Sequence, residues 1–175
     1  LVGLVFSFTM TKQTNSKPLA VGDKIPEFTL LDQNGDEFKI GDYLGKNAMV
    51  IYFYPKDDTP GCTLEARQFT ELGDAFSELD TVVIGVSKDS CTSHRDFIDK
   101  YGLGVSLLAD TTGELCERYG VWQEKEKNGV KKMGVVRSTF IIDRDGVLQD
   151  VMIGVNADGH AREILAKIKQ LEMTL

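Results

Sequence analysis

The amino-acid sequence predicts one α/β domain in which a central mixed sheet is flanked by helices. Three observations predict this fold class. Apolar runs of buried-strand length alternate with stretches of helical period, an early segment has the pattern of a β-hairpin, and two late strand-like runs precede a final amphipathic helix. The alternating part predicts parallel strands with crossover helices, and the later part predicts an antiparallel pair with a covering helix.

Residues 1–19 are predicted to form a flexible N-terminal extension, and residues 20–175 form the single domain. The stretch 1–10, LVGLVFSFTM, is apolar but too short to span a bilayer, and it lacks the basic region of a signal peptide. Because Met10 precedes a polar segment, we expect the native start near Met10, with 1–9 as an upstream extension. A truncated targeting sequence is the alternative.

The first elements are a hairpin and a buried strand. Two β-type runs in 27–40 flank Asn34 and Gly35, and an Asn-Gly pair in that position is a strong hairpin signal. The continuous apolar run 47–55, NAMVIYFYP, has the length of a buried strand and is closed by Pro55.

A helix is predicted next, over 62–79, because apolar residues recur there at helical spacing from Cys62 onwards. Glu65, Arg67 and Glu71 fall on its other faces. The run 81–87, TVVIGVS, predicts the next buried strand.

The following helix is predicted to begin after a cap at Asp89 or Ser90, to run to about Tyr101 and to end at Gly102. A short strand, SLLAD, follows over 106–110.

The remaining elements complete the domain. They are a short helix in 111–120, a hairpin or loop around Asn128-Gly129, a strand pair in 137–143 and 147–154, and an amphipathic helix in 157–173.

Charge and cysteine usage restrict the function class. The formal net charge is −7, which disfavours nucleic-acid binding because phosphate neutralisation needs clustered cations. We interpret Lys125, Lys127, Lys131 and Lys132 as a solvated rim. The apolar segments of the sequence also suggest that the protein has no membrane partner. The sequence has no repeated heptads, which favours a monomer, with a dimer as the alternative.

The three cysteines are Cys62, Cys91 and Cys116, an odd number with no CxxC pair. This is a poor disulfide framework and a poor zinc site, so a reducing compartment such as the cytoplasm fits best, with organellar targeting as the alternative. His94 and His160 are interpreted as surface or partner-bonded side chains, and no metal site is predicted.

Cys62 is placed where a reactive group is expected. It follows a parallel strand and lies in the first turn of a helix, where free N–H groups and the helix dipole stabilise a thiolate. Gly61 allows close approach of the backbone to a bound oxygen species, Thr59 offers a hydroxyl, and Pro55 can shield the sulfur from water. Cys116 is interpreted as a core residue.

The segment 55–66, PKDDTPGCTLEA, resembles the active-site motif of the peroxiredoxins, in particular the peroxiredoxin Q, or bacterioferritin comigratory protein, subfamily. The resemblance covers nearly the whole chain from about Val21. It also includes the blocks GDKIPEFTL, VSKDS, YGVW and RSTFIID, in that order.

This resemblance implies a thioredoxin-like fold and a thiol-dependent peroxidase that reduces hydrogen peroxide and organic hydroperoxides without metal, haem or flavin. It implies that Cys62 is the peroxidatic cysteine, that Thr59 hydrogen-bonds the peroxide, that Pro55 shields the sulfur and that Arg137 stabilises thiolate and transition state. The Gly61 and Cys62 N–H groups would bind the peroxide. The sulfenic acid formed would be recycled by thioredoxin or a similar thiol.

The chain departs from the subfamily at the resolving cysteine. The two positions that commonly carry it are occupied by Arg67 and Ile98. Three routes therefore stay open: resolution by Cys91 after local unwinding, a one-cysteine mechanism with an external thiol, and a bond to Cys116 or to another subunit.

Two other functions compete with the peroxidase. A redox sensor or chaperone-like protein could use Cys62 as a switch without turnover. A thiol-disulfide oxidoreductase on the same fold is disfavoured because such enzymes typically use CxxC.

Overall fold

The structure is a computed structural model, and it describes residues 18–173. The predicted extension 1–19 lies almost entirely outside the described residues, so its flexibility and the native start at Met10 stay predictions. The strands are β1 (Thr29–Leu31), β2 (Glu37–Lys39), β3 (Ala48–Phe53), β4 (Thr81–Ser87), β5 (Ser106–Ala109), β6 (Trp122–Lys127), β7 (Val130–Val135), β8 (Ser138–Ile142) and β9 (Leu148–Ile153). The helices are α1 (Pro60–Glu71), α2 (Gly73–Glu78), α3 (Cys91–Tyr101), α4 (Glu114–Arg118) and α5 (His160–Met173), with a 3₁₀ turn at Ile40–Asp42.

Seven of these strands form one mixed sheet in the order β2-β1-β5-β4-β3-β8-β9. The three central strands β3, β4 and β5 are parallel, whereas β8 pairs antiparallel with β3 and β9 with β8. At the other edge the β1–β2 hairpin joins the sheet antiparallel to β5. The predicted fold class, a mixed sheet flanked by helices with an N-terminal hairpin, is confirmed.

Apolar side chains cover both faces of this sheet. Along β3 the odd residues Met49, Ile51 and Phe53 enter one apolar cluster, and Val50 and Tyr52 enter the other. All six residues of β3 are buried, as expected for a central parallel strand. Within residues 18–173 no helix has the length and apolar character needed to cross a membrane.

The predicted helix over 62–79 is wrong in its bounds. α1 begins two residues earlier, at Pro60, because proline has no N–H to leave unpaired in the first turn. It ends at Glu71, since Leu72 adopts φ −94° and ψ 8°, and α2 restarts at Gly73. Cys62 is consequently the third residue of α1 and still belongs to its first turn.

α3 begins and ends as predicted. Of the two candidate caps, Ser90 is the one used: its hydroxyl oxygen accepts the Ser93 N–H at 3.1 Å. Gly102 ends the helix in the left-handed conformation with φ 61°, which glycine adopts without strain. The N-termini of α1 and α3 therefore follow the adjacent parallel strands β3 and β4, at the same edge of the sheet.

The segment around Asn128-Gly129 is a hairpin, β6–β7, outside the main sheet. Asn128 and Gly129 both have positive φ, 54° and 77°, which is the turn that suits the twist of a two-residue hairpin. The Val136 N–H donates to the carbonyl of Val121 at 2.8 Å and closes the base of the hairpin. The chain thus returns to the sheet immediately before Arg137.

Candidate active site

Cys62 lies at the start of α1 with only 2% of its surface exposed. The first intrahelical bond of α1 runs from the Thr63 N–H to the Thr59 carbonyl at 2.9 Å. Among the described residues none accepts from the N–H of Gly61 or of Cys62, as expected for the first turn of a helix. These are the two backbone donors that are expected to bind the peroxide.

Thr59 is the N-cap residue of α1, but its hydroxyl does not cap the helix. It donates to the Lys56 carbonyl at 2.8 Å. Because a carbonyl can only accept, the hydroxyl proton is used in this bond, and the lone pairs of the Thr59 oxygen remain available as acceptors. The Thr59 oxygen accepts no N–H of the first turn of α1, so the N–H groups of Gly61 and Cys62 have no partner among the described residues.

Arg137, between β7 and β8, reaches Cys62 from the antiparallel side of the sheet. Its Nη2 lies 3.3 Å from the Cys62 sulfur, and its Nη1 donates to Glu65 Oε1 at 2.6 Å. The next residue, Ser138, pairs with Phe53 at the end of β3, and this register places Arg137 beside the strand that leads to α1. The predicted neighbours Cys62 and Arg137 are therefore brought together.

Gly61 makes room for the guanidinium. A Cβ on Gly61 would lie 3.0 Å from Arg137 Nη2, closer than ordinary van der Waals contact. The sequence predicted close approach of a bound oxygen species at this position; the structure adds the Arg137 side chain as a second reason for glycine.

Glu65 is the functional neighbour that the sequence reasoning missed. It was placed on another face of the helix, yet it is fully buried, with 0% exposure. Burial raises the pKa of Glu65 to about 7, even though the Arg137 guanidinium lowers it. Its Oε2 has no hydrogen-bond partner within the described chain. The signal was available, because residues three apart on a helix share a face and Glu65 follows Cys62 by three.

Two further charges shape the electrostatics of the site. Burial alone would lower the pKa of Arg137, but the Glu65 carboxylate and the Cys62 sulfur outweigh it and raise the pKa. Burial and the Arg137 charge lower the pKa of Lys125, while the Cys62 sulfur raises it. Lys125 was predicted to belong to a solvated rim; it is half-buried instead, and its side chain packs against Gly134 across the hairpin.

Pro55 is exposed in the bend after β3, so its role as a shield of the sulfur stays a prediction. Asp57 and Asp58, which follow Pro55 in the same loop, are hydrogen-bonded to residues of α3. Asp57 is buried and hydrogen-bonds His94 and Ser93, and Asp58 hydrogen-bonds Lys100.

Both histidines are buried and bonded to protein partners. His94 contacts Asp57 and the Leu108 carbonyl, and the Nε2 of His160 lies 2.7 Å from the Thr139 hydroxyl. Burial lowers the pKa of His160. The expectation of a surface or partner-bonded side chain is confirmed, because both histidines are partner-bonded.

One cluster has the spacing of a cation site. Ligand atoms of Asp57, Asp89 and His94 all lie within 4.8 Å of one another. Each of these groups is already hydrogen-bonded to protein, including the Asp89 carboxylate, which accepts from the Asp57 N–H and from Ser87. The cluster is therefore accounted for as a hydrogen-bond network.

The other two cysteines differ in accessibility. Cys91 is half-buried at the first residue of α3, at the same sheet edge as Cys62, as predicted. Cys116 is fully buried, and burial together with the nearby Asp110 carboxylate raises its thiol pKa far above the ordinary value. The interpretation of Cys116 as a core residue is confirmed.

The sheet is mixed and has three parallel strands, and Cys62 lies in the first turn of a crossover helix in contact with Arg137. This combination defines a cysteine-dependent oxidoreductase of thioredoxin-like architecture. Residues 21–151 match the model of the AhpC/TSA family. The chain belongs to this family, and within it to the peroxiredoxin Q, or bacterioferritin comigratory protein, type of cysteine-based peroxidase.

Relatives and solved structures agree with this assignment. The chain is 42% identical over 153 residues to peroxiredoxin Bcp of Bacillus subtilis, covering 87% of this chain and 97% of that protein. The corresponding match to peroxiredoxin Bcp of Escherichia coli is 35% identical over 153 residues, with 87% and 97% covered. A cysteine-to-serine mutant of PrxQ from Xylella fastidiosa superimposes with a TM-score of 0.84 at 32% identity, covering 89% of this chain and 99% of that one.

Proposed function

We propose that Cys62 is the peroxidatic cysteine of this enzyme and that it reduces hydrogen peroxide and organic hydroperoxides. The observation that carries the proposal is the 3.3 Å contact between Arg137 Nη2 and the Cys62 sulfur, beside two unpartnered N–H groups. Cys62 is the described cysteine that combines a helix N-terminus, a cationic partner and adjacent donors.

The reaction follows from this geometry. The Cys62 thiolate attacks the terminal oxygen of the hydroperoxide, so an S–O bond forms as the O–O bond breaks. Sulfur supplies two electrons, and the leaving oxygen takes the pair, gains a proton from solvent and departs as water or alcohol. Arg137 and the N–H groups of Gly61 and Cys62 stabilise the charge that moves along S–O–O. The Thr59 oxygen accepts the hydrogen of the attacked hydroxyl and so orients the substrate.

Organic hydroperoxides are included because of a close structural relative. The Xanthomonas campestris bacterioferritin comigratory protein, studied for alkyl peroxide reduction, superimposes with a TM-score of 0.78 at 34% identity, covering 85% of this chain and 98% of that chain. Because Thr59 is partly exposed and Pro55 is exposed, we infer that an alkyl tail would extend past these two residues towards solvent.

The sulfenic acid is returned to the thiol by thioredoxin or a similar thiol, acting in the reducing environment of the cytoplasm. Cys91 is the described cysteine suited to an internal route, because Cys116 is fully buried with a strongly raised thiol pKa. A Cys62–Cys91 disulfide requires Cα atoms within about 7 Å and local unwinding of a helix. If this disulfide does not form, an external thiol attacks the oxidised sulfur of Cys62 directly.

The recycling route can be read by non-reducing peptide mass spectrometry after one equivalent of peroxide. A Cys62–Cys91 peptide pair that is absent in Cys91→Ser supports internal resolution. A stable sulfenic acid, or a mixed disulfide with added thiol, supports the one-cysteine route and removes Cys91 from the cycle. A disulfide-linked dimer would instead show that a cysteine of a second subunit resolves Cys62, and it would contradict the expectation of a monomer.

The enzymatic proposal is tested by peroxide consumption with dithiothreitol and with thioredoxin as reductants. Wild type and Cys116→Ser are expected to turn over, whereas Cys62→Ser is expected to be inactive. Stoichiometric oxidation of Cys62 without turnover by either reductant would support the redox-sensor alternative. Turnover that survives in Cys62→Ser would refute the assignment.

A further inference from the structure

A buried hydrogen-bond network lies next to the site and takes no part in the chemistry described above. It consists of Tyr54, Asp57, Ser93 and His94, and we call it the Asp57 network. Asp57 Oδ1 accepts from the Tyr54 hydroxyl at 2.5 Å, and Oδ2 accepts from the Ser93 hydroxyl at 2.8 Å and lies 2.7 Å from His94 Nδ1. Tyr54 and His94 are at most 1% exposed, so their bonds to Asp57 form away from water.

Both ring nitrogens of His94 are hydrogen-bonded to the protein. Nε2 lies 2.9 Å from the Leu108 carbonyl, which can only accept, so Nε2 carries a hydrogen. Nδ1 lies 2.7 Å from Asp57 Oδ2 and forms a hydrogen bond with the Asp57 carboxyl group. The Tyr54 hydroxyl is also 3.3 Å from Nδ1, but its proton goes to the closer Asp57 oxygen. His94 thus joins the Asp57 carboxyl group to β5.

Asp57 also belongs to the peroxide-binding loop, residues 55–59, so the bond to His94 restrains this loop. Its N–H donates to Asp89 Oδ2 at 2.8 Å. The carbonyl of the same planar peptide unit belongs to Lys56 and accepts the Thr59 hydroxyl at 2.8 Å. Fixing the Lys56–Asp57 peptide therefore fixes the direction of the Thr59 lone pairs.

The next residue shows that the loop needs support. Asp58 has φ 56°, a left-handed conformation that a residue with a side chain adopts at a cost. Its carboxylate accepts from Lys100 Nζ at 2.7 Å and from the Tyr101 hydroxyl at 2.5 Å, both at the C-terminal end of α3. Asp57 and Asp58 thus tie a strained loop to opposite ends of α3.

We propose that His94 is a positioning residue for peroxide reduction: through Asp57 it holds the Lys56–Asp57 peptide and so aims the Thr59 oxygen at the peroxide bound by Cys62. The inference rests on the proposed role of Cys62. It assigns to α3 a role in orienting the substrate that is separate from any role of Cys91 in resolution.

Two substitutions of His94 separate its two hydrogen bonds, to Asp57 and to Leu108. His94→Asn places an amide where Nδ1 is and keeps a donor for Asp57, whereas His94→Gln places it where Nε2 is and keeps a donor for Leu108. Asp96→Asn, an exposed carboxyl-to-amide change on the same helix, is the matched control. Two rates are measured at Cys62: oxidation by hydrogen peroxide in a single turnover, and alkylation by iodoacetamide, which does not use Thr59.

We expect His94→Gln to lose about tenfold or more in the peroxide rate, since a displaced orienting group costs up to about a hundredfold. Its alkylation rate should stay within about twofold of wild type, because Arg137 and α1 still support the thiolate. His94→Asn should keep a peroxide rate several times that of His94→Gln.

Equal peroxide rates in the two variants would overturn the proposal, and so would a parallel loss of peroxide and alkylation rates, which indicates a purely structural role. If His94→Gln does not fold, Tyr54→Phe removes one Asp57 bond with a smaller change. It should slow peroxide oxidation and spare alkylation, and an unchanged peroxide rate would refute the inference. If wild-type Cys62 does not react with peroxide at all, the proposed function fails instead.

Discussion

Replacement of Glu65 by glutamine should change how the stability of the protein depends on pH. The Glu65 carboxyl is fully buried, and burial raises its pKa from the ordinary value of 4.5 to about 7. The perturbation is nearly isosteric, because glutamine keeps an oxygen that can accept from Arg137 Nη1.

The sign follows from the direction of this shift. Between pH 4.5 and about 7 the folded protein keeps a proton on Glu65 that the unfolded chain has released. Stability from this group is therefore fully present below pH 4.5 and is lost as pH rises through about 7.

The magnitude follows from the same values. Each pKa unit corresponds to about 1.4 kcal/mol, so the release of this proton by the unfolded chain alone lowers the free energy of unfolding by about 3 kcal/mol across this range. Glu65→Gln has no such proton, and its stability should lack this contribution. The difference in unfolding free energy, variant minus wild type, should rise by about 3 kcal/mol from pH 4.5 to pH 7.5.

Urea unfolding at several pH values between 4.5 and 8 measures this difference, followed by the fluorescence of the single tryptophan and by circular dichroism. Glu71→Gln, which changes an exposed carboxyl at the end of α1, is the matched control for replacing a glutamate of this helix by glutamine. Parallel curves for wild type and Glu65→Gln would show that Glu65 does not titrate in this range, and the account of its burial would be refuted.

Three further predictions concern the peroxide rate, measured in single-turnover oxidation. Thr59→Val should slow it by about a hundredfold while Thr59→Ser retains most of it, because serine keeps the acceptor oxygen; equal losses would deny the acceptor role. Gly61→Ala should slow it by about tenfold although alanine favours a helix, because the added methyl would lie 3.0 Å from Arg137 Nη2 and would displace the guanidinium; a wild-type rate would show that the site relaxes freely. Lys125→Met should slow it by about threefold, and by more at low salt than at high salt. The control is Lys132→Met, which changes the exposed cross-strand partner of Lys125 and should not slow the reaction. Identical behaviour of the two variants would show that the charge of Lys125 does not act on the site.

The fold was predictable where local patterns decide the structure. The apolar run that forms β3, the Asn34-Gly35 hairpin and the Ser90 and Gly102 ends of α3 each depend on neighbouring residues. The break between α1 and α2 was not predictable in the same way, because the apolar period continues through Leu72 and only its backbone conformation ends the helix.

The site was predictable in its reacting groups. The segment around Thr59 and Cys62, together with Arg137, was recognisable from motif and position, and the structure places Arg137 Nη2 3.3 Å from the Cys62 sulfur. The supporting groups were not, since a buried Glu65 or His94 looks like an ordinary polar residue until its partner on another element is known. Lys125 was misread for the same reason: its half-burial depends on packing across a hairpin rather than on its neighbours in the sequence.

The most direct test of the central claim is mass spectrometry of a Cys91→Ser/Cys116→Ser variant after one equivalent of hydrogen peroxide, with a sulfenic-acid trapping reagent present. The account predicts rapid trapping of one adduct, on the peptide that contains Cys62, and its loss in Arg137→Met at the same peroxide concentration. A protein that stays unmodified, or one that is trapped equally fast without Arg137, would contradict the role assigned to the Cys62–Arg137 pair.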